Sequence, residues 1–450
     1  MTQTVSVPLW LLLLILVFAG VTFASHFLFP SVRWFFRRRM EKAVARLNQR
    51  LTRPIQPFKL ARRYDMIQRL VYDPEVTAAV FEEARSEGIP ENVAFERATR
   101  YAREIVPSFS ATMYFTIGAR LSAWLTKLLY HVRIGAFDRD KIEKIHPDAS
   151  VVFVMNHRSN MDYVLITYLT STAGTVSYAV GEWARIWPLS GLIRMMGAYF
   201  IRRKSLGPLY RKVLSRYVKF AVEGGETQAI FPEGGLSLDG TIGAPKLGLL
   251  SYIITAAKES GREVIFVPVS LNYDRVLEDR VLIDARLSGK RRFRAPIWKV
   301  LWGVGAHLVQ MLTFRFKGFG TAAVEFGEPT SLWSIKDDTP EAVAELLMAR
   351  ISANTPLVPV PLVARALLGG QRDRLALVRD VESMVTMLVE KGAKAPSRTA
   401  AKMVTDALEL LAERGLVTED GQKLVVAPEA EKILSFYSAS ISHYFNALAA

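Results

Sequence analysis

Cysteine is absent from the chain. Its absence excludes disulfides, thiolate metal sites and a covalent thioester on the protein itself. Histidine is scarce: six residues, scattered, which argues against a zinc cluster. No Lys or Arg precedes Arg33, so the N-terminal apolar stretch lacks the positive start of a secretory signal peptide. Internal repeats and low-complexity tracts are also missing. What remains is a 450-residue chain, half hydrophobic, with a formal charge of +15. That length exceeds one ordinary domain and predicts a main domain with helical additions.

So large a positive charge implies an anionic partner: nucleic acid, anionic lipid or a phosphorylated substrate. Its distribution favours lipid. From Arg33 to Arg69 there are twelve Lys/Arg and two Asp/Glu, directly after an apolar run from Val7 to Phe29. The run is interrupted at Pro8, Gly20, Thr22, Ser25 and His26, yet reaches the ~20 residues a spanning helix requires. With every basic residue following it, the positive-inside rule predicts an uncleaved single-pass anchor in an inner (cytoplasmic) membrane, with the body of the protein in the cytoplasm. A nucleic-acid partner is not expected.

Between Met40 and Tyr130 the pattern is helical, with Glu91 to Glu104 and Tyr114 to Val132 as the plainest helices. Near Ser150 the character changes. Val151 to Met155, Val176 to Val180, Gln228 to Phe231 and Val264 to Val269 read as short buried strands. Helices alternate with them, Tyr210 to Val222 and Leu247 to Lys258 most clearly. Such alternation predicts an α/β domain with a mainly parallel central sheet, closing around Val324 to Gly327. Beyond Pro340 the chain turns helical again, through Leu357 to Leu368 and Ser397 to Gly415, the latter followed by a hairpin. The apolar run Ile297 to Leu312 follows Lys290, Arg291, Arg292 and Arg294, and predicts a helix lying in a membrane interface with Trp298 and Trp302 at headgroup level.

The chemistry concentrates after the first core strand, in Asn156-His157-Arg158-Ser159-Asn160-Met161-Asp162-Tyr163. Ligands of α/β sheets bind beyond the carboxyl ends of the strands, which is where His157 is expected. A carboxylate five residues on, at a helix start, can turn back to one imidazole nitrogen and leave the other free as a general base. Taken alone, a His/Asp pair at this spacing is a weak signal. Its companions decide: Gly197-Ala198-Tyr199-Phe200-Ile201-Arg202-Arg203, then Phe231-Pro232-Glu233-Gly234-Gly235, then Val267-Pro268-Val269.

In order and spacing these segments resemble the four motif blocks of the glycerolipid acyltransferase superfamily, with the nearest resemblance to the bacterial and mitochondrial glycerol-3-phosphate acyltransferases. Ala244-Pro245-Lys246-Leu247-Gly248 points to the same branch. The resemblance divides the chain into an anchor at 1–30, a basic helical domain at 31–135, an α/β acyltransferase domain at 136–335 and a helical C-terminal region at 336–450. It implies acyl transfer from acyl-CoA or acyl-acyl carrier protein to glycerol 3-phosphate, with no bound cofactor and no metal. The alternatives are a 1-acylglycerol-3-phosphate acyltransferase and an inactive membrane-tethered lipid-binding protein. His157 and Asp162 are then the catalytic pair. Arg202, Arg203, Glu233, Gly234 and Lys246 would hold the acceptor and its phosphate, and Pro268 would shape the acyl pocket. One departure stands out. Family members commonly carry arginines after the third block's glycines, where this chain has Leu236 and Leu238.

Overall fold

The structure is a computed structural model that describes residues 8–135, 144–181, 189–202, 207–289, 318–421 and 423–446. The chain divides into two compact units, Met1–Ile55 and Gln56–Ala450.

In the first unit a 40-residue helix, Leu9–Asn48, contains the apolar run. Among the described residues, however, no helix is long and apolar enough to cross a membrane. The expected transmembrane helix is therefore corrected. The helix does not stop where the apolar residues stop; it continues through Arg33, Arg37, Arg38 and Arg39. Gly20, Thr22, Ser25 and His26 dilute the apolar half, and the Thr22 hydroxyl donates to the Phe18 carbonyl at 2.6 Å. The interfacial helix expected over Ile297 to Leu312 lies outside the described residues, as does Arg203.

The second unit is built on one mixed sheet. Its strands are β1 (His131–Ile134), β2 (Ser150–Met155), β3 (Ser177–Val180), β4 (Tyr199–Phe200), β5 (Gln228–Ile230), β6 (Val264–Tyr273), β7 (Thr321–Phe326) and β8 (Thr330–Ser331). Their order is β1-β7-β6-β2-β5-β3-β4, with β8 pairing β6. Strands β6, β2, β5, β3 and β4 run parallel. Strand β7 runs antiparallel to β6 and takes β1 parallel to itself.

Side chains of β2 alternate between two cores, as the two-residue strand period requires. Val151, Phe153 and Met155 join a cluster that includes the C-terminal helices, while Val152 and Val154 join one formed with the N-terminal helices and helices 208–223, 248–260 and 340–353. Burial on both faces explains why β2 reads as an unbroken apolar run. Pro268 sits inside β6, opposite Val154, where the neighbour on its other side changes from β8 to β7. The Pro268 carbonyl accepts from Gly327 N–H at 2.7 Å as the chain enters that change, a position that spares the ladder the donor proline lacks.

The sequence pattern extends one helix too far. Helical structure stops at Leu129, and His131 to Ile134 pair with β7 instead; β-branched Val132 and Ile134 beside a strand partner override the apolar helical spacing. Strand β6 continues four residues beyond its expected end, through Tyr273. The C-terminal hairpin forms as β9 (Val417–Asp420) and β10 (Lys423–Val426). The helix before it, Ala400–Glu413, is capped by Thr399, whose hydroxyl accepts from Lys402 N–H.

Candidate active site

His157 lies two residues past the end of β2, on the carboxyl side of the parallel strands. Asn156 sets the exit. Its side-chain amide donates to the Leu271 carbonyl at 2.9 Å and its oxygen accepts Leu271 N–H at 2.8 Å, extending the β2–β6 pairing past its last rung. The chain then turns into the helix Met161–Thr170, with Asp162 in the first helical turn. Negative charge at that position complements the helix dipole.

His157 Nδ1 and Asp162 Oδ2 are 2.9 Å apart. The same oxygen accepts the N–H groups of Arg158 at 2.8 Å and Ser159 at 3.0 Å, so the loop between the pair wraps the carboxylate. Oδ1 accepts the Tyr273 hydroxyl at 2.6 Å. Four donors on one buried carboxylate match an ionised acid, which can only accept. With Nδ1 donating to Asp162, Nε2 is the basic nitrogen. Nε2 is buried and has no hydrogen-bond partner among the described residues. The imidazole stacks on Phe231, with ring centroids 4.1 Å apart, and meets the edge of Tyr163 at 5.4 Å.

The third block holds His157 from behind. Glu233 Oε1 accepts His157 N–H at 2.8 Å and Oε2 accepts Gly243 N–H at 2.9 Å, while Ser237 N–H donates to the His157 carbonyl at 3.0 Å. Both backbone groups of the histidine are thus bound by one loop. Burial pushes the Glu233 carboxyl up to about 7, against the opposing pull of those two N–H donors and of Arg158. Arg158 is itself fully buried; its guanidinium donates to the Gly240 carbonyl and lies over the Phe436 ring. Gly240 adopts φ +88°, and a Cβ there would fall 1.8 Å from the Phe436 carbonyl oxygen, so only glycine lets this loop dock on the C-terminal region.

The acceptor residues expected from the sequence are not all brought together. Lys246 lies over Gly234: a Cβ on that glycine would be 2.8 Å from Lys246 Cδ and 3.3 Å from Nζ, and φ is +65°. Arg202 turns the other way. Its guanidinium makes a forked pair with Glu104, the closest contact 2.8 Å, and packs over the rings of Tyr101 and Tyr210. Leu236 and Leu238 pack against the hydrophobic core. The pair of leucines at the arginine positions anchors the loop by apolar contact.

Several residues of this arrangement carried no role in the sequence reading: Asn156, Ser237, Tyr273 and Glu278. Glu278 accepts Ser159 Oγ at 2.8 Å and Asn160 Nδ2 at 2.9 Å, pinning the outer side of the loop from His157 to Asp162. Phe231 stood within a quoted block but without a function. No spacing rule within one sequence links Asp162 to Tyr273 or Ser159 to Glu278, because β6 brings them together only in the folded sheet.

Comparison with known proteins finds family matches over two parts of the chain. Residues 137–272 match the acyltransferase family model, a span that contains His157, Asp162 and Glu233 but not Tyr273, Glu278 or Phe436. Over those residues the chain is similar to the acyltransferase family. Residues 306–450 match the glycerol-3-phosphate acyltransferase C-terminal region. Similar proteins of that name occur in Xanthomonas campestris (26% identical, covering 91% of this chain and 49% of the relative) and in Shewanella loihica (32% identical, 66% and 35%). A third, from a Shewanella species, is 28% identical over 88% of this chain and 51% of its own length. The chain thus spans about half the length, or less, of the curated relatives it matches. The crystal structure of the 1-acyl-sn-glycerophosphate (LPA) acyltransferase PlsC from Thermotoga maritima is similar at a TM-score of 0.33 and 19% identity, covering 57% of this chain and 81% of that one; at that level the likeness carries no argument.

Proposed function

We propose that the protein transfers a fatty acyl group from a thioester, acyl-CoA or acyl-acyl carrier protein, to the sn-1 hydroxyl of glycerol 3-phosphate, giving lysophosphatidate. One observation carries the reading: a histidine whose Nδ1 is held by a carboxylate and whose Nε2 is left without a partner. Nε2 takes the proton of the acceptor hydroxyl as its oxygen attacks the thioester carbonyl. Asp162 stabilises the imidazolium that forms. The tetrahedral intermediate collapses with cleavage of the C–S bond, and the departing thiolate takes the proton from Nε2. No covalent acyl-protein is required, in keeping with a chain that has no cysteine.

His157 is only 1% exposed, so a hydroxyl reaches Nε2 when one of the bordering side chains moves; Tyr163 and Phe231 are those in ring contact with it. The acceptor phosphate needs a cation. Lys246, which lies over Gly234 of the third block, is the cation we assign first, and Arg203 the second. The block of twelve Lys/Arg from Arg33 to Arg69 supports work at the surface of an anionic membrane, where the lipid product would be released.

The test is acyl transfer by the purified protein with labelled thioester donors and two acceptors, glycerol 3-phosphate and 1-acylglycerol 3-phosphate. Turnover on the first is expected. Turnover on the lysolipid alone would replace the reading with its neighbour, and loss of the third block's arginines is the feature that makes this comparison necessary.

A further inference from the structure

Beyond the His157/Asp162 pair, the structure assigns a positioning role to Tyr273: its hydroxyl fixes the rotation of the Asp162 carboxylate and thereby aims Oδ2 at His157. This rests on the acyl-transfer reading above.

The two oxygens of Asp162 are held unequally. Oδ2 receives His157 Nδ1 and two backbone N–H groups from its own loop. Among the described residues Oδ1 receives only the Tyr273 hydroxyl, at 2.6 Å, the shortest of the four contacts. The three donors on Oδ2 come from residues 157, 158 and 159, one connection between β2 and the helix. Tyr273 is the one donor from a different element. A carboxylate bonded through a single oxygen can rotate about its Cβ–Cγ bond, and a second, opposed anchor removes that freedom.

The anchor is itself rigid. Tyr273 is fully buried at the end of β6 and pairs in register with Ala322 of β7. Its ring packs against Tyr130, centroids 5.4 Å apart, and the Tyr130 hydroxyl donates to the Arg275 carbonyl at 2.8 Å. Burial, and the Asp162 charge beside it, hold the phenol well above its usual range, so it remains a donor. Two residues earlier on the same strand, Leu271 exchanges both backbone bonds with Asn156. The end of β6 therefore grips the catalytic loop at both ends, at Asn156 before His157 and at Asp162 after it. Leu271 and Tyr273, which make these contacts, both lie in the four residues by which β6 exceeds its apolar run.

The test is Tyr273→Phe, which keeps the ring and its packing and removes one oxygen. With labelled thioester and acceptor, the variant is expected to lose about 10- to 100-fold in kcat, as the loss of a bond to a charged group implies, while both substrate KM values stay within about threefold. A double-mutant cycle separates positioning from packing. In an Asp162→Asn background, measured by single turnover, Tyr273→Phe is expected to cost less than threefold further, because the group it positions is already lost. Equal loss in both backgrounds, or an unchanged kcat, would overturn the assignment. Wild-type protein without acyl transfer would instead sink the functional reading on which it rests. Tyr273→Leu serves as control: it should lower thermal stability as well as kcat, whereas the phenylalanine variant unfolds near the wild-type temperature.

Discussion

Glu233 accepts the backbone N–H of His157 at 2.8 Å although 76 residues separate them. A glutamate that the family pattern suggests as an acceptor ligand spends both oxygens on main-chain donors, the second on Gly243. Ser237 from the same loop closes on the His157 carbonyl. The third block is thus a brace for His157, and its glycines serve close packing: Gly234 beneath Lys246, Gly240 against Phe436.

The brace is pH-sensitive. Glu233 needs both oxygens as acceptors, which only the ionised form provides, and burial raises its carboxyl to about 7. Activity is expected to fall as pH drops through about 7, when a proton on one oxygen displaces an N–H donor. The stability contribution has the opposite sign. With the folded value raised above the usual 4.5, stability is fully present below 4.5 and declines by about 3 kcal/mol as pH rises to about 7. Glu233→Gln, which can accept at one oxygen only, should resemble the low-pH enzyme in rate and lose this slope in a urea-unfolding series across pH 4 to 8. A variant with wild-type rate at every pH would show the brace to be dispensable.

His157→Ala and Asp162→Asn should each lower kcat by about 10²- to 10⁴-fold, the range that general-base catalysis supplies. Circular dichroism should show both proteins folded, because Glu233 and Ser237 hold the backbone of His157 and not its ring. Near wild-type turnover in either variant would remove the pair from the mechanism.

Lys246 and Arg202 should part company. Lys246→Ala is expected to raise the acceptor KM by about 10- to 150-fold, the equivalent of one charged hydrogen bond, with the donor KM little changed. Arg202→Ala should leave acceptor KM within a few-fold. It should cost on the order of 1 kcal/mol of stability through the partly buried Glu104 pair and its two tyrosine contacts. Steady-state kinetics alongside thermal unfolding measures both; an acceptor KM that moves with Arg202 and not with Lys246 reverses the assignment.

Asp274, next to Tyr273, is a stability determinant. Its buried carboxylate accepts Thr321 N–H at 2.7 Å and Val360 N–H at 2.8 Å, joining β7 to the start of the C-terminal helix Pro359–Leu368. Asp274→Ala leaves two buried donors unpaired, at about 2–5 kcal/mol together, and should lower the denaturation midpoint accordingly. Burial raises this carboxyl to about 6 from 3.8, so its contribution is present below 3.8 and is lost as pH rises through about 6. The alanine variant should lack that decline.

The local chemistry was legible in the chain itself. The His157/Asp162 spacing, the apolar strands β2, β3, β5 and β6, and the motif order all follow from residue type and short-range periodicity, which act over a few positions. The N-terminal apolar run was legible too, but its reading as a spanning helix was not upheld, because apolar content alone does not say where a helix ends. What only the tertiary structure decided is who meets whom. Arg202 faces Glu104, Leu236 and Leu238 enter the core, and Tyr273 reaches Asp162 because β6 lies beside β2. Those pairings depend on strand order and register, set by the burial of both sheet faces at once. A single sequence does not encode that long-range property at any one position.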